Sequence, residues 1–340
     1  MEFLYEYGLF LAKTVTFILA IALVIGLILG SASRNRSHRK GELHIDNLSE
    51  ERAHDEEDIQ RLLLSKDELK AFEKQQKKEA KKKKSDEADK KNKLFLLDFN
   101  GDVDASQVET FREEISTVLT MAKEQDEVLV RLESPGGVVH GYGLAASQLD
   151  RLRQAGIKTT VAVDKVAASG GYMMACVADT IIAAPFAIIG SIGVVAELPN
   201  INRLLKRFDV DIEQHTAGNF KRTLTVLGKN TEEGRQKFKQ ELAETHQLFK
   251  SFVAEHRDTV DIEAVSTGEH WYGTQAKDLN LVDKIQTSDD FVLAALKEYD
   301  VFKVEYKIRQ HIAEKLGLAA EVSLSRLLGR LSTWSVTKTK

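Results

Sequence analysis

The side chains with the clearest chemical potential stand in two glycine turns, Ser134-Pro135-Gly136-Gly137 and Ala168-Ser169-Gly170-Gly171-Tyr172. A serine set between small residues, with two glycines and an apolar helical run after it, suits a nucleophile on a strand-to-helix turn. Glycine permits the tight bend and the close approach of a substrate carbonyl, and the N–H groups that open the helix favour developing negative charge. In the first turn Pro135 fixes the approach, and no side chain shields the N–H of Gly136 or Gly137. With the N–H of Gly170 it would complete a two-donor oxyanion hole. Each motif taken alone is also an ordinary strand-ending turn.

A serine hydroxyl needs a base before it attacks anything. His140 follows the first turn, His215 ends an expected strand from Val210 to His215, and Lys221 lies just beyond in Gly218-Asn219-Phe220-Lys221-Arg222. A lysine base must lose its proton well below the free value of about 10.4, which burial or a neighbouring cation promotes. Phe220 offers apolar cover and Arg222 a cation, yet local pattern ranks His215 at least level with Lys221.

The elements that must position these residues follow from periodicity. The apolar run Leu94 to Val103 and the run Glu127 to Glu133 read as buried strands, and Lys158 to Asp164 as a third that delivers the chain to Ser169. Between them Val108, Phe111, Ile115, Val118 and Leu119 share one helical face, and Leu144, Leu149 and Leu152 another. Strands alternating with amphipathic helices predict an α/β fold with a substantially parallel sheet, its glycine turns at the strand ends where such folds place their sites. The apolar stretch Ala178 to Pro199 reads as buried strands and a glycine turn rather than a membrane span, because Asp179, Pro185 and Glu197 interrupt it. Asn230-Thr231-Glu232-Glu233 predicts a capping box opening a long scaffold helix with Phe238, Leu242, Phe249 and Phe252 inward.

The ends of the chain have a different character. Thr14 to Ser33 is an uncharged, largely aliphatic stretch long enough to span a bilayer as a helix, and it predicts an uncleaved transmembrane anchor over 1–33. A cleavable signal peptide is opposed by Glu2 and Glu6 before the run and by Arg34, Arg36, Arg39 and Lys40 after it. That basic cluster places the remainder on the cytoplasmic side, with the periplasmic side as the alternative. Residues 34–92 read as a charged connector whose lysine run, Lys74 to Lys93, either meets anionic lipid headgroups or holds the following domain off the bilayer. A tail over 309–340 carries Leu324, Leu327, Leu328, Leu331 and Trp334 at helical spacing. The formal net charge of −4 argues against nucleic acid as a partner, and the single cysteine, Cys176, excludes an intrachain disulfide and a multi-cysteine metal site. Neither a cofactor nor a metal is expected.

Ser134-Pro-Gly-Gly, Ala168-Ser169-Gly-Gly-Tyr, Gly190-Ser191-Ile-Gly193, Gly218-Asn-Phe-Lys221 and Trp271-Tyr-Gly-Thr-Gln-Ala276 with Leu281-Val-Asp283 resemble, in order and spacing, the signal peptide peptidase A family over about residues 94–300. With the anchor and connector the chain is similar to that family's SohB branch of bacterial inner-membrane peptidases. The resemblance implies a caseinolytic-protease and crotonase-like fold of repeated ββα units over 93–308. It also implies a Ser/Lys dyad of Ser169 and Lys221, oxyanion donors Gly136 and Gly170, and Ser191 orienting the lysine. The activity implied is endopeptidase cleavage of signal-peptide remnants or unfolded protein segments through an acyl-enzyme. A homo-oligomer is implied too, in which Lys221 serves the Ser169 of its own chain or of a neighbour. Arg222 stands where many relatives carry Asp, and Asn280 where Gly is usual. Two other readings stand beside this one: a crotonase-type acyl-thioester enzyme, and a catalytically silent membrane scaffold.

Overall fold

A computed structural model describes residues 5–11, 13–17, 41–65, 68, 69, 72, 91–218 and 220–308. The chain divides into two compact units, Met1–Glu42 with Lys307–Lys340, and Leu43–Tyr306. Of the first, residues 5–11 and 13–17 are helical, with the Thr14 hydroxyl donating to the Phe10 carbonyl at 2.9 Å. Most of the expected anchor and the whole of the amphipathic tail lie outside the described residues. Among the described residues no helix is long and apolar enough to cross a membrane.

The second unit is a mixed α/β fold around a seven-stranded sheet. Chain order begins with β1 (Gly41–Asn47), α1 (Leu48–Leu63), β2 (Asn92–Asn100), α2 (Val108–Met121), β3 (Glu127–Glu133), α3 (Val139–Gln154) and β4 (Lys158–Val163). There follow β5 (Val166–Ala168), α4 (Gly170–Ala175), β6 (Thr180–Ala183), β7 (Ile188–Gly190), α5 (Asn202–Arg207), α6 (Glu232–His256) and α7 (Ile262–Val265). The last elements are β8 (His270–Tyr272), α8 (Gly273–Asp278), β9 (Lys284–Ile285), α9 (Ser288–Glu298) and β10 (Tyr299–Ile308). The large sheet runs β1-β10-β2-β3-β4-β6-β9, parallel from β10 through β9. A second sheet, β5-β7-β8, joins β5 and β7 in parallel and β7 and β8 antiparallel.

The apolar run Leu94 to Leu97 in β2 has a direct cause. Phe95, Leu97 and Phe99 enter one core with Val128, Val130, Val161 and Val163, while Leu94 and Leu96 enter the other with Leu129, Ala162 and Ile182. A parallel strand covered on both faces has no side left for polar residues. The larger core is closed by Phe111 and Ile115 of α2, Tyr142 and Leu149 of α3, and Tyr172 and Met174 of α4. The Phe99 ring meets Phe111 edge-on at 5.1 Å between centroids. The smaller core is closed by α9 through Ala295, with Phe291, Val292 and Leu48 against it.

Three local expectations are corrected. The segment 41–63, assigned to the charged connector, is instead strand and helix: β1 edges the sheet beside β10, Asn47 caps α1, and the Ser49 hydroxyl accepts from Val301 N–H at 2.9 Å. One edge register and a few contacts suffice to order a segment too polar to build a core of its own. Val210 to His215 forms no strand; its backbone finds no sheet neighbour, and both Val210 and Ile212 are exposed. The cap of α6 is Thr231, whose hydroxyl accepts from Gly234 N–H at 3.1 Å, while the Asn230 side chain bridges both backbone groups of Thr225.

Candidate active site

Strand β5 delivers Ser169 to the start of α4, and the backbone there is forced. Ser169 adopts φ 52 and ψ −117, outside the regions open to a residue with a Cβ. Its N–H donates to Gly190 O at 2.8 Å, and its carbonyl accepts from Met173 N–H at 3.0 Å to begin the helix. The Ser169 hydroxyl has no hydrogen-bond partner among the described residues, and it borders a cleft of about 810 Å³.

The first glycine turn is laced to this one. Ser134 N–H donates to Val166 O at 2.8 Å and Ala168 N–H to Ser134 O at 3.0 Å, so the Ser134 turn lies alongside β5. Gly136, at φ 87, leaves no room for a side chain: a Cβ would fall 2.7 Å from Gly170 N and 2.8 Å from Ser169 Cβ. Contact this close between backbones is what a two-donor site requires. The N–H groups of the expected donors differ in engagement, however. The Gly136 N–H is engaged by the Ser134 hydroxyl at 3.0 Å. Gly137 and Gly170, by contrast, present N–H groups with no acceptor among the described residues.

Ser191 lies on the same cleft at φ 51, its N–H held by Glu269 O at 2.7 Å and its hydroxyl turned to Gly268 O at 3.4 Å. The sequence-derived base is elsewhere. Lys221 is exposed in the irregular segment between α5 and α6, its N–H donating to Gly218 O at 3.3 Å, and it does not line the cleft that holds Ser169. His215 is also exposed, beside Glu213 at 3.5 Å, and His140 faces solvent. Cys176 gives no rival nucleophile: it is buried behind α4, burial pushes its thiol well up, and its sulfur donates to Met173 O.

Two profiles for one peptidase family cover this arrangement. "Peptidase family S49 N-terminal" matches residues 2–149 and "Peptidase family S49" residues 151–301. Similarity to "Probable protease SohB" of Haemophilus influenzae reaches 53% identity over 98% of this chain and 97% of the relative. The chain belongs to peptidase family S49. Within S49 its similarity is to the SohB proteins, the one from Buchnera aphidicola subsp. Schlechtendalia chinensis being 52% identical over 86% of this chain and all of its own length. A "Putative signal peptide peptidase SppA" of Enterococcus faecium is 29% identical over 58% of this chain and 61% of the relative. The S49 chain is thus a peptidase with bacterial relatives.

Several residues of this S49 cleft escape a reading by motif. Helix α6, expected as scaffold, forms a wall through Thr245, His246, Phe249 and Phe252, and the Nε2 of His246 meets Ile192 O at 3.2 Å. Since a carbonyl only accepts, that nitrogen carries the proton. The available signal was spacing: His246 falls at the inward stripe of Leu242, Phe249 and Val253. Tyr142, fully buried in α3, also reaches the cleft, but an interior tyrosine in an apolar helical face carries no motif.

Proposed function

We propose that this peptidase is a membrane-anchored serine endopeptidase that cleaves signal-peptide remnants or unfolded segments through a Ser169/Lys221 dyad. One observation carries the serine reading: among the described residues, a hydroxyl without a partner, on a residue held at positive φ, stands beside two unengaged backbone N–H groups at the mouth of a cleft. In the reaction, Ser169 Oγ attacks the peptide carbonyl while its proton passes to Lys221. The N–H groups of Gly170 and of the Gly136-Gly137 turn stabilise the oxyanion, with Gly137 as the free donor. Collapse expels the amine, which takes the proton from Lys221, and leaves the acyl group on Ser169. Lys221 then activates a water that hydrolyses the ester, and Ser191 orients the lysine.

The exposure of Lys221 away from the cleft supports a dyad assembled between chains of a homo-oligomer, with Lys221 meeting a neighbour's Ser169. In the same reading the fold is caseinolytic-protease and crotonase-like; the succession β4, β5, α4 is one ββα unit. The Thr14 to Ser33 run anchors the protein in the bacterial inner membrane, with the catalytic unit on the cytoplasmic side.

The test compares wild type, Ser169→Ala and Lys221→Ala on a panel of signal peptides and unfolded proteins, with labelling by a serine-directed fluorophosphonate. Both variants are expected to lose cleavage by at least about a thousandfold, and Ser169→Ala to lose the label. Turnover of an acyl-CoA that survives Ser169→Ala would replace the reading with thioester chemistry. Normal cleavage by Lys221→Ala would remove the dyad.

A further inference from the structure

From the first glycine turn to the Asp102 backbone runs a hydrogen-bond chain whose direction is fixed. The Tyr142 hydroxyl donates to Asp102 O at 2.7 Å, which uses its only proton. In the 2.5 Å contact between Tyr142 and Ser134 the donor is therefore the Ser134 hydroxyl. Ser134 Oγ in turn accepts the Gly136 N–H at 3.0 Å. The order is Gly136 N–H to Ser134, Ser134 to Tyr142, and Tyr142 to Asp102, with each hydroxyl giving once and receiving once. Both side chains are fully buried, and burial raises the Tyr142 phenol, so it stays protonated. A Cβ on Gly101 would strike the Tyr142 hydroxyl and Ser134 Oγ, so the glycine backbone closes directly over both hydroxyls.

The other end of the same tyrosine bears on the second turn. A Cβ at Gly170 would fall 2.4 Å from Tyr142 Cγ, so the ring packs directly on the backbone that presents the Gly170 N–H. One side chain thus touches the donor turn after β5 with its ring and holds the Pro135-Gly136-Gly137 turn through Ser134 with its hydroxyl. We infer that Tyr142 and Ser134 are positioning residues for the oxyanion hole: by engaging the Gly136 N–H they set the turn so that the Gly137 N–H is left for substrate, at a distance from Gly170 that Tyr142 maintains. The inference rests on the serine-peptidase reading above. It adds that the first serine of the motif serves the oxyanion rather than attacking anything.

Such residues act on charge that exists only in the transition state, and this separates them from residues that merely hold the fold. The experiment measures kcat, KM, affinity for a peptide boronate and thermal unfolding for wild type, Tyr142→Phe, Ser134→Ala and the double variant, with Ser169→Ala alongside. Tyr142→Phe keeps the ring and its packing. It is expected to lower kcat about tenfold with KM within about twofold, and to weaken the boronate by the same factor as kcat. The double variant should be no more than about twofold below the worse single one, because the two hydroxyls act as one chain. Wild-type kcat in Tyr142→Phe and Ser134→Ala, or a rise in KM alone, would overturn the positioning role, whatever happens to the melting temperature. Full cleavage by Ser169→Ala would overturn the serine reading and the positioning role with it, so the two failures are distinguishable.

Discussion

Ser169 is held at φ 52 by bonds on both sides, its N–H to Gly190 and its carbonyl to Met173. For a residue with a Cβ such a conformation costs about 1–3 kcal/mol, which the surrounding turn supplies. Glycine would relieve it, whereas alanine keeps the Cβ and the strain. Ser169→Gly is therefore expected to unfold at higher denaturant than Ser169→Ala by about 1 kcal/mol, although both lack activity; equal midpoints would remove the strain. At this scale the legible residues were those for which glycine marks a backbone need. Ser169, Gly170 and Gly136 stand out because tight turns restrict their neighbours, and Asn280, standing where Gly is usual, lies at φ 58 in the left-handed region that asparagine tolerates. Tyr142 and His246 work through partners distant in sequence, Asp102 and Ile192, and no local pattern encodes those pairs.

Helix α2 and strand β10 meet at a buried carboxyl. Glu114 is only 2% exposed; its Oε1 accepts from Tyr306 N–H at 2.8 Å, and Oε2 has no partner among the described residues. Burial first, then the negative charges of Glu305 and Asp98, push it up to about 7 from an ordinary 4.5, against the pull of the Tyr306 N–H and Lys303. The folded state thus holds a proton that the unfolded chain releases, so stability falls as pH rises from about 4.5 to about 7 and levels off above, by about 3 kcal/mol in all. Glu114→Gln cannot ionise, and the difference in urea midpoint between pH 5 and pH 8 should shrink by most of that amount. An unchanged difference would show that the carboxyl does not govern it. Strands of this sheet were readable because both faces are covered, which gives β2, β3 and β4 apolar runs such as Leu94 to Leu97, Val128 to Val130 and Val161 to Val163. Elements at its margin were not. Strand β1 has Leu43 and Ile45 each 39% exposed, so its sequence carries almost none of the burial signal that betrays a central strand.

On the scale of the whole molecule the proposed site is divided. The nucleophile and its donors stand at the edge where β5 meets α4, while the proposed base stands on a segment that exposes Phe208 and Phe220 at 72% and 47%. Apolar side chains so exposed along one segment call for cover, and a second copy presenting its cleft would supply it. This arrangement makes a prediction that no single variant tests. Ser169→Ala retains a sound Lys221, and Lys221→Ala retains a sound Ser169; each alone is inert. If the dyad crosses between chains, mixed assemblies place a sound serine against a sound lysine at about a quarter of the sites when subunits exchange at random. Purified variants unfolded together, refolded and assayed on a peptide should then recover about a quarter of wild-type cleavage, with fluorophosphonate label appearing only on Lys221→Ala chains. If a single chain supplies both residues, every site lacks one of them and the mixture stays as silent as its components. Recovery of wild type refolded by the same route separates that outcome from failed assembly.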